Sequence, residues 1–94
     1  AKSLNLMKEA VQKLIEESRY DEALNMLNER IKKCSDDDEA YYLRGALYKQ
    51  LGKWGESLSD LNKAIAINPE SPAVILRQLL QDIVDFRYTD LLNP

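Results

Sequence analysis

The sequence predicts an all-α fold: five helices stacked as antiparallel pairs. Three observations carry that expectation. Five identical residue pairs stand 34 positions apart, namely Glu22/Glu56, Leu24/Leu58, Leu27/Leu61, Asn28/Asn62 and Ile31/Ile65. Each stretch of that length holds two apolar patterns at helical spacing, so the repeated unit is a helix–turn–helix. Gly and Pro fall at or near the edges of those patterns, except Gly45. Tandem units of this kind stack into a curved solenoid whose inner face usually holds a partner.

Taken in order, the first predicted helix covers 4–17, where Leu4, Met7, Ala10/Val11 and Leu14/Ile15 form a buried stripe. The segment Ser18-Arg19-Tyr20 interrupts it. A second helix over 21–33 buries Ala23, Leu24, Leu27 and Ile31. Its Asp21 and Glu22 open the first turn, and Arg30, Lys32 and Lys33 close the last, matching the helix dipole at both ends. Asp37 or Asp38 supplies the N-cap of a third helix, which runs to Leu51 and stops at Gly52. Lys53-Trp54-Gly55 then turns the chain into a fourth helix over 56–67, with Leu58, Leu61, Ala64 and Ile65 inward. Asn68-Pro69 ends it, because Pro cannot continue a helix. Ser71-Pro72 opens a fifth helix, a capping residue followed by Pro at the first helical position, extending to about Arg87. Gly45 costs its helix about 1 kcal/mol relative to Ala, so its place there implies close contact with a neighbouring helix.

A chain of 94 residues suits one domain, with 45% hydrophobic and 31% charged residues as in ordinary soluble proteins. The formal charge is −3 and Lys and Arg form no stripe, which argues against nucleic acid. The run Asp36-Asp37-Asp38-Glu39 reads as helix punctuation. Cys34 is the one cysteine, so no intramolecular disulfide forms, which fits a reducing, cytoplasmic setting. No stretch reaches the ~20 apolar residues of a membrane span, and no secretory leader is expected. The chain has no His, the commonest general base and metal ligand. Gly52 and Gly55 lack the spacing of a phosphate-binding loop. No catalytic residue, cofactor or metal is expected. Cys34 sits at a helix C-terminus, where the dipole opposes a thiolate, and is read as an incidental thiol.

Residues 38–69 read DEAYYLRGALYKQLGKWGESLSDLNKAIAINP. This segment resembles the tetratricopeptide repeat (TPR): Tyr41, Gly45, Tyr48, Gly52, Trp54, Ala64 and Pro69 occupy the family's signature places. Ser57 stands where the family prefers Ala, Leu61 where it prefers an aromatic, and Arg44 replaces the usual Leu. Residues 4–37 fit more weakly through Met7, Val11, Leu14, Tyr20, Ala23 and Leu27, with Val11 for Gly and Arg30 for Ala. After Pro69 the chain supplies one further helix; Tyr88, Asp90 and Leu92 faintly echo a second, and Phe86 stands where the turn Gly would be. The resemblance implies a right-handed superhelical stack: a degenerate first repeat at 4–37, a second at 38–71, and a capping helix and tail at 72–94. Very small bacterial proteins share this plan.

By the same resemblance, the first helix of each pair lines a concave groove that binds a protein or peptide partner. Its expected lining is Asn5, Lys8, Gln12, Ile15 and Glu16, then Glu39, Tyr42, Leu43, Ala46, Lys49 and Gln50, then Ala73, Leu76, Arg77, Leu80, Ile83 and Val84. Some members clamp a terminal carboxylate. Lys8, Arg77 and loosely Gln12 fit that pattern, whereas Leu43 and Ala73 break it. Trp54, Tyr20, Tyr41 and Tyr48 are expected in the core, and Tyr42 in the groove.

The fifth helix is apolar over roughly 180°, wider than the ~100° stripe one contact needs. Ile75, Leu79 and Phe86 are expected to pack on the preceding repeat, leaving Leu76, Leu80, Ile83 and Val84 without a partner. Three fates are open for that second face: coverage by Tyr88, Leu91 and Leu92, a homodimer, or a groove for a partner helix or peptide.

Overall fold

The computed structural model describes residues 2–92, with side chains over 6–85. Among the described residues there are five helices and no strand: α1 (Lys2–Glu16), α2 (Tyr20–Lys33), α3 (Asp38–Gln50), α4 (Trp54–Ile67) and α5 (Ala73–Leu92). α2 and α4 each begin one or two residues before the expected starts, because the carbonyls of Arg19 and Lys53 already accept from Ala23 and Ser57. α5 continues five residues past Arg87. Capping by the Tyr88, Leu91 and Leu92 side chains, and the roles of Leu4, Asn5 and Phe86, lie outside the described residues.

The two inter-helix turns inside the repeats are copies of each other. Ser18 and Gly52, 34 positions apart, both take positive φ, at 61° and 78°. In each, the following N–H reaches back to a carbonyl five residues earlier, Arg19 to Leu14 at 2.8 Å and Lys53 to Tyr48 at 2.9 Å. This is a helix stop with a left-handed residue, a conformation free of steric cost for glycine and strained for serine. The connections between repeats differ. Asp37 caps α3 by accepting from the Ala40 N–H at 3.2 Å, and Arg30 holds that carboxylate at 2.7 Å. Arg30, which departs from the family's Ala, thereby fastens the end of α2 to the start of α3. Ser71 caps α5 through its hydroxyl, which accepts from the Ala73 N–H at 3.1 Å.

The helices pack in succession, α1 on α2, α2 on α3, α3 on α4 and α4 on α5, with α3 and α4 in the most extensive contact. Gly45 explains that closeness. A Cβ there would stand 2.9 Å from Leu61 Cδ2 and 3.3 Å from the Ser57 carbonyl. The Ser57 hydroxyl donates to the Gly45 carbonyl at 2.6 Å, so its difference from Ala carries a buried hydrogen bond. One core cluster gathers Val11, Ala23, Leu27, Ala40, Leu43 and Leu47 between the first pair and α3. A second gathers Leu61, Ala64, Ala73 and Leu80, seating α5 on α4. Tyr20 and Trp54 pack partly buried at the edges of these two clusters.

Arg44 ties three helices together. Its Nε and Nη2 donate to both oxygens of Asp60 on α4 at 2.8 and 2.7 Å, and Nη1 donates to Asn28 Oδ1 on α2 at 2.9 Å. The Tyr41 ring lies 5.6 Å from its guanidinium carbon. Hydrogen bonding to Asp60 raises the Arg44 pKa above the usual arginine range, against the opposing effect of burial. A raised pKa on a cation stabilises the fold at every pH below the ordinary arginine value, so this contribution is lost only in strong alkali.

Two stability measurements follow. Ser18→Gly is expected to stabilise the chain by about 0.5–1 kcal/mol in urea unfolding, the relief of a left-handed serine less the entropy of glycine. Arg44→Met is expected to destabilise by about 3–5 kcal/mol, because Asp60, whose side chain is 7% exposed, would keep a buried charge without its partner. The double change Arg44→Met/Asp60→Leu should recover most of that loss. A double variant no more stable than the single one would mean that the pair itself supplies the stability.

Candidate functional site

The inner face is built from α1, α3 and α5, and its register follows from which residues these helices bury. α3 sits on the first repeat through Ala40, Leu43 and Leu47. α5 sits on α4 through Ala73 and Leu80, with Leu76 and Val84 partly buried beside them. Three of these positions pair identically or in kind at a separation of 33: Ala40 with Ala73, Leu43 with Leu76, Leu47 with Leu80. Arg44 and Arg77 share the offset, and each donates to the Asn of the preceding outer helix, Asn28 at 2.9 Å and Asn62 at 3.0 Å. The two Asn residues are 34 apart, so one residue has been lost at the entry to α5.

The first turn of α5 shows where. The Val74 N–H donates to the Ser71 carbonyl at 3.1 Å and Ile75 to Pro72 at 3.2 Å, a tight turn of three residues. The corresponding bond of α3 spans four residues, Tyr41 to Asp37. One residue fewer rotates α5 by about 100° from the position that the period of 34 predicts.

That rotation exchanges the two apolar faces of α5, and the expectation is corrected accordingly. Leu80 is 0% exposed and Ala73 is likewise buried, so neither lines a groove. Leu76 and Val84 are half-buried against the α4 cluster, the opposite of an unpartnered face. Leu43, on α3, also belongs to the core. Ile75 and Leu79, expected to pack on the preceding repeat, are instead 69% and 54% exposed. Arg77 turns to Asn62 on the outer helix and is not brought together with Lys8.

Offsets of 34 from α1 to α3 and 33 from α3 to α5 align equivalent positions of the three helices in sequence rows. Lys8, Tyr42 and Ile75 form the first; Gln12, Ala46 and Leu79 the second. Ile15, Lys49 and Asp82 form the third, and Glu16, Gln50 and Ile83 the fourth. None of these twelve side chains is buried. Lys8, Gln12, Ile15, Tyr42, Ala46 and Gln50 surround a recess of about 260 Å³ between α1 and α3, floored by Val11, Leu43 and Leu47. A neighbouring recess of about 220 Å³ joins Lys8 and Tyr42 to Ser71 and Pro72 at the start of α5.

Lys8 Nζ stands 3.9 Å from Glu39 Oε1, both well exposed, a pair worth little in water and readily exchanged for a ligand. Of the expected lining, Lys8, Gln12, Ile15, Tyr42, Leu43, Ala46 and Gln50 come together around the recess between α1 and α3, whereas Lys49 and Ile83 do not line it. Reasoning from the period of 34 missed the exposure of Ile75 and Leu79. The signal that would have found it is the set of identities 33 apart.

Among the described residues no group of His, Cys, Asp and Glu could hold a metal ion, and no helix is long and apolar enough to cross a membrane. Cys34 is a half-buried free thiol.

Comparison with known proteins agrees with this architecture. Residues 38–71 match the family model of the tetratricopeptide repeat, and residues 12–52 match a second one, TPR repeat. The solution NMR structure of Bacteroides fragilis protein BF1650 is similar, with a TM-score of 0.79 and 36% identity over 90% of this chain and 87% of that one. Hsp70-Hsp90 organizing protein 3 of Arabidopsis thaliana is 40% identical over 53 residues, 56% of this chain and 10% of that protein. The mitochondrial import receptor subunit TOM70 of Rattus norvegicus is 30% identical over 71 residues, 70% of this chain and 12% of that protein. The chain spans about a tenth of the length of these curated relatives.

The corrected placement of Leu80 has a measurable consequence. Leu80→Asp is expected to lower stability by at least about 3 kcal/mol, since it buries an unpaired charge where α5 meets α4. Circular dichroism melting would show it. An unaltered melt would return Leu80 to the surface.

Proposed function

We propose a function from one premise: the chain belongs to the tetratricopeptide repeat family. That family is one of protein-interaction repeats. In our reading the concave face of α1, α3 and α5 binds a short peptide or helix of a partner protein. The observation that carries it is the recess between α1 and α3, where unburied Lys8, Gln12, Tyr42 and Gln50 converge over an apolar floor. Few convergent polar groups over apolar surface is what a recognition site needs: area for affinity and hydrogen bonds for register. Tyr42 offers both, an apolar ring and a hydroxyl. The names of two relatives, one an organizing protein for Hsp70 and Hsp90 and one an import receptor subunit, support a protein partner.

A second reading, self-association, is favoured by the exposure of Ile75 and Leu79. With Val74 they are three exposed apolar side chains, few against the roughly 20 residues a side of a stable interface. The groove reading is therefore preferred.

Titration calorimetry against an immobilisation-free peptide library tests it. For any peptide that binds, Tyr42→Ala and Lys49→Glu should each weaken affinity about tenfold, near 1.4 kcal/mol, with melting curves that still show a folded chain. Equal affinity for both variants and the wild type would remove the groove. Sedimentation of the wild type at rising concentration reads the second possibility directly.

A further inference from the structure

We infer that Met7 and Met26 form a paired oxidation site, at which a peroxide converts both thioethers to sulfoxides and loosens α1 from the stack. The effect on partner binding rests on the groove reading above; the oxidation site does not.

The chain has two methionines, one on α1 and one on α2. Both are half-buried, and both line the same open recess of about 460 Å³, rimmed by Asn25, Glu29, Arg30 and Lys33. Both also pack against the first core cluster, which contains Val11 and Leu27. Each thioether thus meets solvent on one side and the core on the other. The charges at the rim compensate one another. Glu29 and Lys33 stand four residues apart on α2, and Arg30 is bonded to Asp37 at 2.7 Å. Nothing there bars an uncharged oxidant such as hydrogen peroxide.

The seam these methionines share is the one that holds α1. Among the described residues α1 packs extensively on α2 alone, whereas α2, α3 and α4 each lie between two neighbours. The ion pair from α1 to α3, Lys8 with Glu39 at 3.9 Å, is exposed and weak. Arg44, by contrast, fastens α2, α3 and α4 with three hydrogen bonds. Apolar packing therefore keeps α1 in place, and methionine is the part of it that chemistry can change.

Oxidation is a two-electron step. A sulfur lone pair forms an S–O bond to one peroxide oxygen as the O–O bond breaks. The departing hydroxide takes the proton of the transferred oxygen and leaves as water; sulfur is oxidised and the peroxide reduced. A flexible apolar group becomes a polar one that requires hydration. Beside Val11 and Leu27, water reaches it only if the seam opens. Val11 also floors the recess between α1 and α3, and Lys8, Gln12 and Ile15 form its α1 side. A loosened α1 takes that wall of the groove with it.

The test treats the full chain with hydrogen peroxide, with Cys34→Ser present to remove the thiol, and follows amide hydrogen exchange by mass spectrometry. Peptide mapping should find one added oxygen on each methionine. Exchange of the α1 amides should quicken about tenfold while α4 stays slow. The two methionine sulfoxide reductases should restore slow exchange. Met7→Leu/Met26→Leu, which nearly conserves volume, should keep it throughout. For a peptide that binds, oxidation should weaken affinity about tenfold, and the leucine variant should be unaffected.

Sulfoxide at fewer than both positions overturns the inference, as does oxidation of both with α1 exchange unchanged. Equal quickening of α1 and α4, or any quickening in the leucine variant, overturns it too. If α1 loosens while affinity holds, the oxidation site stands and the groove reading falls.

Discussion

The seat of Ala73 and Leu80 on α4 decides what the concave face offers. Both side chains are fully enclosed, with Leu61 and Ala64 beneath them. Once they are buried, the rotation of α5 about its axis has no freedom left. The described side chains follow: Arg77 bonds Asn62 on the outer helix, and Ile75, Gln78, Leu79 and Gln81 are exposed. A helix that is apolar over half its circumference could seat itself in two ways. Small, buried Ala73, followed by Leu76 and Leu80, repeats the seat that α3 makes with Ala40, Leu43 and Leu47. Shape complementarity of this kind, rather than total hydrophobicity, chooses between two greasy faces.

Within the second pair the constraint is steric and polar at once. Gly45 lets Leu61 approach the α3 backbone, and the Ser57 hydroxyl bonds the Gly45 carbonyl at that contact. In the first pair Val11 occupies the position of Gly45 and is itself buried, so the two pairs reach closed cores by different means. Arg44 spans α2, α3 and α4 with three hydrogen bonds, and Arg77 repeats one of them to Asn62. This ladder of Arg to Asn on the outer layer keeps successive repeats in register without using any side chain of the inner face.

Particular residues show what was legible beforehand. The pairs 34 apart located four helices and the turns between them, and Asp37, Gly52, Pro69 and Ser71 marked their ends where the structure has them. Lys8, Gln12, Tyr42 and Ala46 were placed on the face where their side chains surround the recess. Each of those readings needs only local periodicity or a capping residue. Leu80 and Ile75 were assigned to opposite faces from those they occupy, because the period of 34 was carried across Pro72. Ser18 was read as a break, while its left-handed backbone makes it the counterpart of Gly52.

The linear order of residues by itself determined the helical class, the tandem repeat and the absence of histidine chemistry, since those depend on spacing and residue type alone. Tertiary structure decided the rotation of α5 and with it the composition of the inner wall. The reason is physical: a tightened first turn removes one residue, and one residue is 100° of helix. An apolar arc of 180° tolerates that rotation in sequence terms. Only contact with α4 picks one of its halves to bury and leaves the other exposed.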